Sequence, residues 1–243
     1  MKKIIDDEGL LSRMEPEGVL KVIVSGIAVA FSAYHLLTAY LGALPALQHR
    51  AIHLTFALVL LFLLFPLFRG RLRPRFYFLD ILLALLSAVV GIYIFTQYEY
   101  LSLRQGLPSS ADIWLGFLLT ILILESTRRI LGWPMPLVAI FFILYGFWGR
   151  YFPGPFAHSG LSFEDIFSNL YVTLEGIYGV AIGVSATYIV IFVIFGAFLG
   201  RSGASDLFFN FAQSLFGTVR GGPAKVSVIS SSLFGTVSGS AVA

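Results

Sequence analysis

The chain of 243 residues contains no cysteine, and only 12% of its residues carry a charge. Without cysteine it cannot form disulfide bonds, thiolate nucleophiles or Cys-ligated metal sites. Soluble domains carry roughly 25% charged residues, so this low share, together with 58% hydrophobic residues, excludes an ordinary soluble core. The mean hydropathy of +0.88 is typical of an integral membrane protein.

Long apolar stretches recur along the chain, each near the roughly 17–25 residues that a helix needs to cross a bilayer. They predict transmembrane helices over residues 20–43, 51–68, 77–97, 111–127, 133–151 and 177–200. The N-terminus up to Lys21 carries charges of both signs and no cleavage-site pattern, so we interpret it as the lead-in to a retained helix. The predicted fold class is an all-α integral membrane protein with about six transmembrane helices.

The positive charges predict the orientation of these helices. Four arginines fall in the single loop 69–75, which the positive-inside rule assigns to the cytoplasm. Alternation from that loop puts 13 of the 16 Lys and Arg residues inside. The three that remain outside are Arg50, Arg104 and Arg150. The N-terminus is therefore predicted to be cytoplasmic, and the net charge of +3 indicates membrane topology and not a nucleic-acid partner.

Two stretches between the spans differ in character. Residues 153–175 contain three acidic residues and no Lys or Arg, as is common in translocated loops. Residues 204–218 have apolar residues at helical spacing and a polar side, and they are too short to span, so an amphipathic helix in the cytoplasmic interface is predicted. The last segment then enters the membrane from the cytoplasm, as a full span or as the first half of a re-entrant helical hairpin.

This last segment is the most informative part of the chain. It begins at the helix-breaking Gly221-Gly222-Pro223 and ends in small residues and hydroxyls, with Gly235 and Gly239 permitting the helix to unwind. Interrupted, hydroxyl-bearing helices hold substrate or ions in transporters, and their oxygen donors suit Na⁺. Small residues also let membrane helices pack closely. The residues alone leave both interpretations open.

Two groups of ionisable residues lie near predicted span ends. Glu125 is followed by Arg128 and Arg129 at i+3 and i+4, a spacing that predicts ion pairs on one helix face. Glu175 precedes a stretch of small residues and hydroxyls that includes Ser185 and Thr187. An ionisable residue there is either a helix cap or a residue that couples transport to an ion.

Enzymatic and metal-binding alternatives find little support. His49 and His53 share a helix face, but the pattern offers no third ligand. Intramembrane serine proteases use a Gly-x-Ser-Gly motif, whereas Thr236 stands where the first glycine should be, before Ser238-Gly239. No histidine follows to activate the serine. The chain is predicted not to be an enzyme and to need no cofactor other than a coupling ion.

Residues 221–243 resemble the first helical hairpin of the large membrane subunit of the tripartite ATP-independent periplasmic (TRAP) transporters. Glu125-x-x-Arg128-Arg129, Glu175-Gly176 and residues 183–188 resemble the branch of this family in which the small and large subunits are fused, and which works with TAXI-type binding proteins. The resemblance implies the N-terminal part of such a permease. Residues 1–130 would be a small-subunit-like four-helix part, and 131–243 the start of the large subunit, cut off within its first hairpin.

The resemblance also implies a function. It is the secondary active uptake of an organic anion, a carboxylate, which a TAXI-type extracytoplasmic binding protein delivers to the cytoplasmic membrane of a bacterium or archaeon. The coupling ion would be Na⁺ or H⁺, with Ser238 and Ser240 as candidate Na⁺ ligands and Glu175 as a coupling residue. The implied substrate and ion contacts are Ser238, Gly239, Ser240 and Ala241, with Ser231, Ser232 and Thr236 behind them.

Two other functions remain compatible with the pattern. One is another secondary transporter built from inverted repeats. The other is a membrane scaffold without transport activity, in which the Gly235 to Gly239 spacing serves only helix packing.

Overall fold

The computed structural model describes residues 14, 16–67, 73–104 and 107–238, with side chains for all of them except 73–76, 237 and 238. This part of the chain is helical and contains no strand. The predicted all-α fold is therefore confirmed.

Ten α-helices, numbered here in chain order, form the described part. They are α1 (Gly18–Leu41), α2 (Ala46–Leu64), α3 (Arg73–Leu103), α4 (Ser110–Leu131), α5 (Pro134–Trp148), α6 (Phe163–Val172), α7 (Val180–Val184), α8 (Val190–Arg201), α9 (Ala204–Phe216) and α10 (Gly222–Ser238). A π-helical turn, Ser185–Ile189, joins α7 to α8 so that the three segments form one continuous helix.

Five helical stretches in the described part are long and apolar enough to cross a membrane. They are Gly18–Leu41, Ala46–Leu64, Tyr77–Leu103, Ser110–Leu131 and Val180–Arg201. The predicted span 133–151 differs, because its α-helix, α5, has only 15 residues. Pro134 lies at the first helical position, where proline is well tolerated, and the helix gives way to a 3₁₀ turn at Gly149–Tyr151. This α-helix is thus shorter than the span that the sequence predicts.

The stretch interpreted as an outer loop, 153–175, contains the helix α6. Its start is a capping box: the Ser162 hydroxyl accepts a hydrogen bond from the Asp165 amide, and the Asp165 carboxylate accepts one from the Ser162 amide. Such reciprocal bonds satisfy two of the amides that a helix start leaves without partners. The Ser162 to Asp165 spacing of this capping box is present in the sequence, but a pattern of four residues is a weaker signal than the hydropathy of the long spans.

The chain divides into two compact units. The first consists of residues up to Ala33 together with Gly42–Gly183, and the second of Tyr34–Leu41 together with the residues from Val184 onward. In the first unit α2, α3 and α4 share a core whose most enclosed side chains include Phe62, Val90, Ile94 and Leu122.

A buried ion network lies at one end of this core. Arg129 on α4 donates to Asp80 on α3 at 2.6 Å, to Glu125 at 2.8 Å and to the Phe65 carbonyl after α2 at 2.8 Å. Arg128 forms a second ion pair with Glu125 at 2.7 Å. The two arginines balance the two carboxylates, so the network is neutral as a whole. The predicted pairing of Glu125 with Arg128 and Arg129 is confirmed, and Asp80 is the partner that sequence spacing did not indicate.

A second set of hydrogen bonds ties α2 and α3 to α6 and to the segment that follows α6. Arg50 on α2 donates to the carbonyls of Tyr178 at 2.8 Å and Gly179 at 3.1 Å. The Tyr171 hydroxyl donates to the Val90 carbonyl on α3 at 2.8 Å. Arg50 lies in the second turn of α2, where it satisfies carbonyl groups at the turn before α7.

The histidines of α2 are part of the packed interior. His49 and His53 are both buried, and the His53 ring lies 5.3 Å from that of Phe31 on α1. In the described ranges no three His, Cys, Asp or Glu residues cluster in a way that could hold a metal ion.

In the second unit α9 packs against α10. Gly203 has a φ of +85° and ends the turn that follows α8. The predicted amphipathic segment is confirmed as a helix: Leu207, Phe211 and Leu215 are exposed on its apolar side, whereas Ala212 is fully buried. Apolar side chains left exposed in this way suit a helix that lies in a membrane interface.

The ion network leads to a first prediction. Asp80→Asn should lower the free energy of unfolding by about 3 kcal/mol, because it leaves the Arg129 guanidinium buried without its closest counter-charge. The measurement is the thermal unfolding of the purified protein in detergent.

Glu99→Gln is the matched control, since Glu99 is an exposed acid on the same helix, α3. Its effect should stay within about 0.5 kcal/mol. Equal stability of the two variants would contradict a structural role for the network.

Candidate functional site

The terminal helix α10 starts at a tightly packed glycine turn. Gly221 has a φ of +76°, a conformation that L side chains rarely adopt. A Cβ on Gly222 would lie 2.6 Å from the Gly217 carbonyl oxygen and 2.7 Å from that of Phe216, at the end of α9. The Gly-Gly-Pro sequence is therefore needed for a close approach of two backbones as well as for the start of the helix.

Three hydroxyl side chains of the predicted site lie on the exposed side of α10. Ser231, Ser232 and Thr236 are all exposed in the second unit. The Ser232 hydroxyl donates to the Val228 carbonyl at 2.8 Å, and the Thr236 hydroxyl donates to the Leu233 carbonyl at 2.7 Å. Hydroxyls bonded in this way keep their lone pairs for an ion or a ligand, so these helical bonds do not compete with a binding role.

The end of the predicted site is only partly described. Ser238 is the last residue of α10, and Gly239, Ser240 and Ala241 lie outside the described residues. In the described part α10 runs without interruption from Gly222 to Ser238, so the helix is not unwound at Gly235. A glycine permits unwinding but does not enforce it, and here the helical hydrogen bonds continue across it.

Glu175 lies in the turn between α6 and α7 and is exposed. The Thr173 hydroxyl accepts hydrogen bonds from the amides of Glu175 and Gly176, both at 3.2 Å, and so fixes the backbone of this turn. The Glu175 carboxylate lines two adjoining cavities of about 650 and 420 Å³ in the first unit.

Ser185 and Thr187 both lie in the π-helical turn Ser185–Ile189. Such single turns interrupt the regular hydrogen bonding of a helix and occur frequently at functional sites. In the sequence these hydroxyls lie in a stretch of small residues, and nothing in that stretch indicates the wider π-helical turn. This π-helical turn and the glycine turn before α10 are both irregular places in the second unit.

These features define a multi-pass helical membrane protein with a glycine-initiated, hydroxyl-bearing helix at residues 222–238. The family profile described as "Tripartite ATP-independent periplasmic transporter, DctM component" matches residues 118–243, slightly more than half of the chain. The chain belongs to this family. Comparison with curated proteins and with solved structures returns no match to the chain.

Membership in this family assigns the chain to the TRAP transporters. Transporters of this family carry organic acids by secondary transport and work with a periplasmic substrate-binding protein and a small membrane component. The matched residues include α5 to α10 and the whole of the terminal segment. The match begins at residue 118, within α4.

The glycines of α10 provide a second prediction. Gly222→Ala should reduce the yield of folded protein and lower its stability by about 1–3 kcal/mol, because the new methyl group overlaps backbone atoms that cannot move independently. The yield of monodisperse protein after detergent extraction, together with thermal unfolding, measures this effect.

Gly235→Ala is the control on the same helix, since apart from the neighbouring backbone of α10 no atom lies within 4 Å of the added Cβ. It should leave stability unchanged or raise it slightly. A Gly222→Ala variant as stable as Gly235→Ala would show that the close approach to α9 is not required.

Proposed function

We propose that this chain belongs to a permease that takes up an organic anion, a carboxylate, by ion-gradient-driven transport, and that a TAXI-type extracytoplasmic protein delivers the anion. The observation that carries the proposal is the family match, which extends through the hydroxyl-rich terminal segment. The proposed location is the cytoplasmic membrane of a bacterium or archaeon, with a cytoplasmic N-terminus.

We further propose that residues 1–130 act as the small component and that 131–243 belong to the large one. Three contacts within the first unit support a permanent association of these parts. Arg50 donates to carbonyls at 178 and 179, Tyr171 donates to the Val90 carbonyl, and Gly116 on α4 lies directly against the Phe167 carbonyl on α6. Buried hydrogen bonds of this kind would hold two components together as one body.

The proposed substrate and ion contacts are Ser238, Gly239, Ser240 and Ala241, with Ser231, Ser232 and Thr236 as a second tier. Ser238 and Ser240 are the proposed Na⁺ ligands, because hydroxyl and carbonyl oxygens are hard donors. The exposed hydroxyls of Ser231, Ser232 and Thr236 support this assignment, since a ligand has access to them.

If the coupling ion is H⁺ and not Na⁺, Glu175 is the carboxyl that we propose to carry it. Its exposure supports exchange of a proton with water. Hydroxyls cannot take that role near neutral pH, so an acid is required for proton coupling.

The terminal motif gives a third prediction. Ser240→Leu in the full-length gene product should reduce uptake of the organic acid at least about tenfold, because the substitution removes an oxygen ligand and fills its space. The measurement is uptake of radiolabelled substrate by cells that also express the binding protein, with and without Na⁺.

Ser205→Leu is the control, since Ser205 is an exposed serine on α9. It should retain near-normal uptake. Full transport by Ser240→Leu with unchanged Na⁺ dependence would disprove the terminal site. Uptake that no binding protein and no ion gradient stimulates would favour a scaffold without transport activity.

A further inference from the structure

The larger cavity that Glu175 lines is the feature that the proposed transport site leaves unexplained. It has a volume of about 650 Å³ and lies entirely within the first unit. Its walls come from the start of α2, the end of α3, the start of α4, and α6 with its following turn. Cavities of this size accept a ligand or a side chain of a partner.

One wall of the cavity is rigidly held. The side of α6 that faces it presents Asp165 and Asn169, followed by Thr173, at successive i+4 positions. Gly116 packs against the backbone of Phe167 on the same helix, and the Phe167 ring lies 5.1 Å from that of Phe117. A polar stripe fixed in this way presents its groups in constant positions.

Four charged side chains line the cavity, and the charges of Arg104 and Asp112 neutralise each other. Arg104 lies 3.5 Å from Asp112, whose side chain is only 1% exposed. Asp112 also accepts hydrogen bonds from the Tyr93 hydroxyl at 2.7 Å and from the Ser109 amide at 2.7 Å. The Asp112 carboxylate therefore has its partners within the protein and forms part of the cavity wall.

The other two charged groups, Asp165 and Glu175, are exposed carboxylates. Hydrogen bonds from the Ser162 hydroxyl and amide lower the pKa of Asp165, so this group stays ionised over the physiological range. The Glu175 side chain has no ion pair with any residue in the described ranges. The cavity thus has two negative charges that its own wall does not neutralise.

The two carboxylates determine which kind of charged group the cavity can bind. Two carboxylates would repel an organic anion, so the cavity is unsuited to the substrate of the proposed transport reaction. They attract an ammonium or guanidinium group, and the neighbouring hydroxyls and the Asn169 amide add hydrogen-bonding partners. In the proposed topology this end of the helices lies outside the cell, where the binding protein arrives.

We propose that this cavity, together with Asp165 and Glu175, receives a lysine or arginine side chain of the extracytoplasmic binding protein. The proposal rests on the proposed function for the partner and for the orientation of the chain. A basic side chain here would fix the position of the binding protein over α6. Because the contact is electrostatic and partly exposed, it should act mainly on the association rate and weaken with salt.

The test measures binding apart from transport. The full-length permease is reconstituted in nanodiscs, and the affinity of its fluorescently labelled binding protein is determined at low and high salt. Glu175→Lys should weaken binding about tenfold at low salt, and Glu175→Gln about two- to fivefold. Asp165→Asn, which keeps an acceptor for the capping box, should act like Glu175→Gln. These differences should shrink at high salt.

Glu164 supplies the matched control, because it is an exposed acid next to Asp165 on α6 but does not line the cavity. Glu164→Lys should change the affinity less than about twofold. An equal loss for Glu164→Lys and Glu175→Lys would overturn the proposal, since it would indicate general charge attraction and not a specific contact.

Uptake measured with the same variants separates this proposal from the proposed function. Asp165 lines the same cavity and has no proposed role in ion coupling, so uptake by Asp165→Asn that recovers at saturating binding protein supports a docking contact. Unchanged affinity with lost uptake in Glu175→Gln would overturn docking at Glu175 and leave it as a coupling residue. No binding to the unmodified permease would overturn the partner assignment itself, and that result requires no variant.

Discussion

The buried Arg129 guanidinium sets the constraint on which the first unit depends. A charge of this kind is costly in an apolar interior unless counter-charges and hydrogen-bond acceptors surround it. Asp80 on α3, Glu125 on α4 and the Phe65 carbonyl after α2 supply these partners, and Arg129 also lies over the Phe62 ring at 4.9 Å. Helices α2, α3 and α4 must therefore keep one register at this end, because sliding any of them would leave a buried charge without its partner.

The opposite end of the same helices is fixed by a different kind of contact. There Arg50 and Tyr171 donate to backbone carbonyls, and Asp112 collects hydrogen bonds from neighbouring side chains. With both ends fixed, the segment from α4 to α6 is a firm support for the cavity that Asp165 and Glu175 line. A permease that receives substrate from a separate protein needs such a fixed platform, since a mobile one would lose orientation at each encounter.

The spans could be predicted well from the sequence, because lipid requires long apolar stretches whatever tertiary contacts the helices make. It also predicted the pairing of Glu125 with Arg128 and Arg129, since helix geometry alone brings these residues together. It did not indicate that Asp80 meets Arg129, because the two are 49 residues apart and only packing joins them. The shortness of α5, the helix α6 and the uninterrupted course of α10 through Gly235 likewise depend on local hydrogen bonding that composition does not record.

The most direct test of the transport function uses proteoliposomes that contain the full-length permease, with the binding protein outside and no ATP. An imposed inward Na⁺ or H⁺ gradient should drive accumulation of the organic acid, and the accumulation should require the binding protein and stop when an ionophore collapses the gradient. Accumulation that persists without a gradient, or that never exceeds passive leak under either one, would contradict the account.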